Sequence, residues 1–486
     1  MKQIQSIAVV GGGTAGFVAA LILKSRYPTL KIDIIKSEKI GIVGVGEGST
    51  EHWNEFMKYI GINHRQIIKH CGATFKTGIM FQNWTSQDYL HSTHADFEKK
   101  TGQYNFMYGR QISKNLPQKT MTLLNIWENK LDIEFLESAT PPFNQYHFNT
   151  KMLNEFLHRV ALSKNIDIYD DEITKINFNV AEEIESLQGD KKKYTYDFYI
   201  DSTGFHKLLI GKMGAKWNSY SRWLKMKSAI VFPTESDEEY NLWTIAKAMK
   251  YGWMFRIPVQ ERYGNGYIFD SDYINADQAK IEIEQVIGKN IEIGKQINFD
   301  PGALEDVWIK NCCAIGLSAS FVEPLEASSI GSSIQQTFLL MHRLPNYDNK
   351  TIFNYNKDVR DILENIRDFV LLHYITDKDD SIFWKDIKNL KLPDSLAEKL
   401  SRWKKNLPIE EDFAGMTKYI MFRENSFTHV LHGLNYFDIS SIKKEYLMQH
   451  PEIHKLAEKQ LEEIRIKESL IKTIGHKKYL ELTMQL

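Results

Sequence analysis

The sequence predicts an α/β protein: a dinucleotide-binding fold with a mixed sheet, followed by a helical C-terminal region. Three observations predict it. A β-branched run, Ile7-Ala8-Val9-Val10, enters the turn Gly11-Gly12-Gly13-Thr14-Ala15-Gly16, and Phe17 to Leu23 continues with helical periodicity. A mid-chain segment, Gly252-Trp253-Met254-Phe255-Arg256-Ile257-Pro258, alternates as a core-facing strand does. After Gln335 the chain turns rich in Lys, Glu, Leu and Ile with few glycines, and 355–377, 395–405 and 440–486 read as amphipathic helices.

The first element, with Ile32 to Ile35 as the next strand, is a βαβ unit. Gly11 permits the tight turn, Gly13 lets a pyrophosphate approach backbone N–H groups, and Gly16 lets the helix pack closely on the strand. Thr14 and Ala15 then open a helix whose N-terminus faces the phosphate charge. The end of the second strand departs from this pattern: in place of an acidic residue for the ribose hydroxyls stand Lys36, Ser37 and Glu38. Either Glu38 reaches the ribose from further on, or the adenosine end is held loosely.

Two later segments read as further walls of the same site. Tyr194 to Ile200 is strand-like and ends in Asp201-Ser202-Thr203-Gly204, and Trp308 to Ile315 is strand-like and ends in Gly316. Lys191-Lys192-Lys193, after Gln188-Gly189-Asp190, reads as a hairpin tip. Two units are expected: 1–340 for cofactor and catalysis, and 341–486 as a helical region packed on it.

Composition excludes several classes. The 486 residues are 25% charged and 43% hydrophobic, ordinary globular usage. Lys plus Arg number 61 against 62 for Asp plus Glu, so no strong field steers nucleic acid or anionic lipid towards the chain. Three cysteines, two of them adjacent at Cys312 and Cys313, make neither a disulfide framework nor a zinc site, and no metal is expected. No apolar run reaches transmembrane length, and the N-terminus reads as a strand rather than a signal peptide. A soluble, cytoplasmic protein is expected.

Several ordered blocks resemble the flavin-dependent halogenases of the tryptophan halogenase superfamily. They are Gly11–Gly16, Gly44-Val45-Gly46-Glu47, Phe75-Lys76-Thr77-Gly78-Ile79 with Asn83-Trp84, and Tyr146-His147-Phe148. Asp201 to Phe205 and Trp253 to Pro258 follow, then Ala314-Ile315-Gly316-Leu317 and Phe321-Val322-Glu323-Pro324-Leu325-Glu326, with weaker echoes at His373-Tyr374 and Phe383-Trp384. The resemblance implies an FAD-binding fold of flavin monooxygenase type, contacted by Gly11, Gly13, Thr14, Ala15, Gly16, Glu47, Leu317 and Ile330. It implies FADH2 from a separate flavin reductase, O2 and a halide ion as co-substrates, and a small electron-rich aromatic or heteroaromatic substrate. A homo-oligomer is compatible with it; nucleic acid and membrane are not expected partners.

The resemblance also assigns roles. Lys76 would hydrogen-bond hypohalous acid as an ammonium, or be halogenated as a desolvated amine. Glu326 would orient that acid, or stabilise and deprotonate the cationic ring, with Glu323 a weaker stand-in. Backbone N–H groups of Ser328 and Ser329, at a helix start, would hold the halide. There the chain departs from the family's Ser-Thr-Gly, reading Ala327-Ser328-Ser329. Trp253, Phe255, Ile257 and Pro258 match a Trp-x-Trp-x-Ile-Pro wall between flavin and substrate, with Phe255 in place of the second tryptophan. Phe106, Tyr108 and Phe427 are candidate substrate aromatics, while His91 and His94 read as a surface loop. Two rivals stay open: a hydroxylating flavin monooxygenase, and a degenerate FAD-binding protein that makes no hypohalous acid.

Overall fold

The strand Ser6–Val10 lies inside a six-stranded sheet, ordered Trp308–Ile309, Cys312–Ala314, Phe198–Asp201, Ser6–Val10, Lys31–Lys36, Asp167–Asp170. The computed structural model describes residues 4–41, 46–93 and 124–486. Neighbours in this sheet are parallel except the first pair. The segment expected as one strand from Trp308 to Ile315 is therefore a hairpin. Lys310 turns it at a φ of 51°, and the Asn311 amide is engaged with the backbone of Ile184.

The helix Thr14–Arg26 that follows the first strand has no polar face over Gly16–Leu23, all of it buried. Its surroundings explain this: Thr150–Ser163 and Ser328–Arg343 both pack against it above the sheet.

A second, seven-stranded sheet runs Lys295–Asn298, Ser228–Glu235, Arg262–Phe269, Gly252–Val259, Trp243–Met249, Gly78–Gln82, Tyr89–Ser92. Only Trp243–Met249 and Gly78–Gln82 pair in parallel. The alternation in Gly252–Val259 divides two cores: Trp253 joins the main one, while Met254 packs with Ile230, Phe232 and Ile283 beneath the helix Ala276–Ile287. A small sheet of Glu47–Gly48, Gln145–Phe148 and Thr74–Lys76 carries Lys76.

The later chain is helical, with Asn349–Leu372, Asp394–Trp403, Ile439–Met448, Pro451–Leu470 and His476–Gln485 among its helices. One expectation fails here: 440–486 is interrupted by the strand Thr473–Gly475, which pairs with Lys130–Asp132. Three residues show no helical or strand period, so only the distant partner makes this a strand. The helix Ser328–Arg343 crosses residue 340, and the main core is continuous from Ile7 to Leu480. The lysine run does fall at a hairpin tip, Lys191 and Lys192 in the turn between Ile184–Gly189 and Lys193–Tyr194, with Lys193 opening the second strand. Among the described residues, no helix is long and apolar enough to cross a membrane, and no group of side chains is arranged to hold a metal.

Candidate active site

The glycine turn opens onto a cleft of about 590 Å3. A Cβ at Gly11, whose φ is +120°, would lie 2.2 Å from the Ser202 carbonyl oxygen. One at Gly16 would lie 2.2 Å from the Gly11 oxygen, whereas nothing stands within 4 Å of the corresponding point at Gly13. Strand, turn and helix are thus packed to backbone contact on one side and open on the other. No side chain caps the helix at Gly13, so its first-turn N–H groups can serve an anion. The cradle fits the pyrophosphate of a dinucleotide.

Thr14, Ala15, Glu47, Leu317 and Ile330 line this cleft; Gly16 lies behind it. Burial pushes the Glu47 carboxyl up to about 7. Lys36 also lines the cleft, its stem against Gly12 and its Nζ 3.4 Å from Glu38. Glu38 itself is exposed and is not among the lining residues.

Lys76 ends its strand opposite Gln145 and is 1% exposed. Its Nζ donates to the Ser49 carbonyl at 2.8 Å and to Gln145 Oε1 at 3.3 Å. Gln145 in turn donates to Glu51 at 3.3 Å. Burial lowers the lysine to about 8, against the opposing pull of the Glu326 and Glu51 carboxylates. Two acceptors hold the ammonium and one N–H is left for a reactant.

Glu326 ends the turn Pro324–Glu326 and is 2% exposed. His91 Nδ1 stands 3.0 and 3.1 Å from its two oxygens, and His373 Nε2 is 2.8 Å from Oε1. Burial alone would raise this carboxyl, but the two histidines outweigh it and hold it at about 2. The expectation of a surface loop at His91 is therefore wrong. His91 is 2% exposed, lies in the strand Tyr89–Ser92 opposite Ile79, and has the helix Glu424–Gly433 packed on its strand. Its place directly after the apolar pair Tyr89-Leu90 is the signal the sequence offers. His94, Phe106 and Tyr108 lie outside the described residues. Phe427 is core, against Phe369, Trp403 and Phe413.

Glu323 does a different job. It accepts from Trp253 Nε1 at 3.1 Å and from the Tyr374 hydroxyl at 2.5 Å, and burial pushes it up to about 7. Trp253 is thereby tied beside the Glu326 turn. The Phe255 ring covers Gly266, where a Cβ would lie 2.4 Å from its Cζ. Trp253, Ile257 and Pro258 are buried, and none of the four wall residues lines the nucleotide cleft.

Ala327 takes a left-handed φ of 53° and starts the helix Ser328–Arg343 without a side-chain cap. Ser328 is buried, while Ser329 is exposed and lines the cleft. The Ser332 and Ser333 hydroxyls donate to the Ser329 carbonyl at 3.0 and 2.8 Å, leaving the first-turn N–H groups unengaged by them.

The chain is similar to known proteins along most of its length. The Tryptophan halogenase family model matches residues 6–444. A 7-chloro-L-tryptophan 6-halogenase, KtzR of Kutzneria, is 28% identical, covering 83% of this chain and 86% of its own. Xcc4156, a flavin-dependent halogenase from Xanthomonas campestris, is 28% identical with a TM-score of 0.86, covering 99% of this chain and 98% of its own. A tryptophan halogenase from Shewanella frigidimarina superposes with a TM-score of 0.91 at 24% identity, covering 100% and 98%, a likeness of fold.

Proposed function

The chain belongs to the tryptophan halogenase family, and from that premise we propose that it halogenates a small electron-rich aromatic of the indole class, with FAD in the cleft and Lys76 and Glu326 as its catalytic pair. It is a flavin-dependent halogenase by family. Phosphates would sit on the N–H groups of Gly13, Thr14 and Ala15, flanked by Glu47, Leu317 and Ile330. When bound and reduced by a separate flavin reductase, FAD supplies the reducing equivalents that, with O2, turn halide into hypohalous acid.

The chain's own residues would do the rest. Ser328 and Ser329 N–H groups hold the halide at the uncapped helix start. The remaining Lys76 N–H donates to the oxygen of hypohalous acid, so the departing hydroxide leaves more easily and the halogen becomes more electrophilic. The ring carbon forms its bond to halogen, and the displaced ring proton passes to a Glu326 oxygen. A carboxylate held at about 2 is a weak base, but it suffices for a ring cation, and its charge stabilises that cation before the proton leaves. Trp253, Phe255, Ile257 and Pro258 would wall this chamber from the flavin. Residues 1–340 carry cofactor and pair, and 341–486 contribute His373.

The carrying observation is the joint burial of Lys76 and Glu326, each held by dedicated partners, with the Glu326 charge favouring the Lys76 ammonium. Incubation with FAD, a flavin reductase, NADH and each halide in turn, on an indole panel read by mass, tests the reading. Halide-dependent halogenated product is expected. Hydroxylated product formed without halide would overturn it in favour of a monooxygenase.

A further inference from the structure

The strand that carries Lys76 is fastened along one edge by a side chain from the far end of the protein. Gln145–Phe148 takes its other edge. On the open edge, the Thr77 N–H donates to the Leu242 carbonyl at 2.6 Å, and from Gly78 onward the parallel pairing with Trp243–Met249 continues. The Phe75 N–H, one rung earlier, has a histidine as its acceptor: it donates to His476 Nε2 at 3.0 Å. His476 Nδ1 stands 3.1 Å from the Tyr240 carbonyl. A carbonyl only accepts, so Nδ1 carries the proton, and Nε2 offers its lone pair to Phe75. The imidazole, 0% exposed, bridges the gap where the two backbones have not yet come within pairing distance.

The segment bearing His476 is itself anchored. Thr473–Gly475 pairs with Lys130–Asp132, and the His476 N–H donates to the Asn129 carbonyl at 3.0 Å. The Lys477 N–H donates to Glu239 at 2.6 Å, and a Cβ at Gly475 would fall 2.2 Å from the same carboxylate. Tyr479 and His476 both pack their rings on Phe75. Three distant stretches, 75–77, 129–132 and 239–242, meet on this one C-terminal segment.

We propose that His476 is a positioning residue for halogen transfer, and that residues 473–485 form a C-terminal latch holding the Lys76 strand in register. The inference rests on the reading of Lys76 given above. Without the rung, a buried N–H loses its acceptor, the start of the strand loosens, and Lys76 Nζ no longer keeps its place between Ser49 and Gln145. Hypohalous acid would still form at the flavin but would escape before transfer.

The test uses the full chain with FAD bound and has two readouts. One is hydrogen exchange at the Phe75 amide. The other is coupling, the ratio of halogenated indole to hypohalous acid caught by a fast scavenger; being a ratio, it does not depend on how much enzyme is folded. His476→Leu is expected to speed Phe75 exchange about tenfold or more and to lower coupling. His476→Gln, which restores an acceptor and a donor, should recover most of both. Leu480→Ala, one turn along the same helix and buried, removes apolar packing but no hydrogen-bond acceptor, and should lower the melting temperature and leave coupling intact. Parent-like Phe75 exchange and coupling in His476→Leu would overturn the latch, as would an equal loss of coupling in Leu480→Ala. Should His476→Leu fail to fold, His476→Gln with parent stability but uncoupled turnover would overturn it too. If the parent halogenates nothing, the reading of Lys76 fails, and Phe75 exchange alone still decides for or against the latch.

Discussion

His373 meets Glu326 with both of its ring nitrogens facing acceptors. Nε2 is 2.8 Å from the carboxylate, while Nδ1 is 2.9 Å from the Phe369 carbonyl. A carbonyl accepts only, so the proton on Nδ1 is fixed, and Nε2 is left facing the carboxylate. His373 also terminates the helix Asn349–Leu372, which sets its ring against the Glu326 turn. Glu326 is thus held between the helix-end ring of His373 and that of His91.

Removing either histidine should change the charge at Glu326. His373→Ala and His91→Ala are each expected to raise the Glu326 carboxyl from about 2 towards the ordinary 4.5 or above, since burial then acts with less opposition. The folded form then loses stability at neutral pH, by ~1–3 kcal/mol for a buried charged group left short of a partner. Denaturant melts of both variants check this, and unchanged stability in each would contradict it.

In the parent, the depressed Glu326 value gives a definite pH window. The folded carboxyl lies at about 2 and the ordinary value is 4.5. Its stabilising contribution is therefore full above 4.5 and is lost as pH falls from there towards 2. Glu326→Gln removes the dependence in that window, and it should lower turnover ~10²–10⁴-fold if the carboxylate takes the ring proton.

Lys76 behaves in the opposite sense. Its folded value, about 8, lies below the ordinary 10.5, so the native state carries the cost of a buried ammonium below pH 8 and is relieved of it as pH rises from 8 to 10.5. Used as a donor, the ammonium is the active form. Turnover should then fall about tenfold per pH unit above 8, and Lys76→Ala should consume NADH without halogenated product. A rate that climbs through pH 8 would favour the neutral amine and a haloamine instead.

The wall is testable by packing. Trp253→Ala should cost ~3–5 kcal/mol, since a fully buried indole leaves a cavity and deprives Glu323 of a donor. Gly266→Ala should cost ~1–3 kcal/mol, because its methyl would meet the Phe255 ring. Melting of both variants reads this directly.

The halide loop predicts ion preference. Ala327 removes a hydroxyl beside the uncapped helix start, and Ser329 lines the cleft. Such a less polar wall suits a large, weakly hydrated anion. Bromide or iodide should serve at least as well as chloride at equal concentration, and Ser329→Gly should shift preference towards chloride. A clear chloride preference in the parent would contradict this.

The phosphate turn, the alternating strand Gly252–Val259 and the helical later chain were legible from residue order, because each depends on neighbours a few positions apart. Glycines that must touch a carbonyl, a period of two, and a loss of glycine all leave local marks. Lys76 and Glu326 were reachable as motif positions for the same reason. What surrounds them was not. His91 joins Glu326 only because Tyr89–Ser92 pairs with Gly78–Gln82 in a register that places His91 opposite Ile79, and His373 only because the helix Asn349–Leu372 ends against the same turn. Likewise the Thr473–Gly475 strand and the His476 rung exist only where the C-terminus meets residues some hundreds of positions earlier. A hydrogen bond between distant residues constrains neither one's neighbours in sequence. Tertiary packing alone decides which buried donor meets which acceptor, and with it the charge of Glu326.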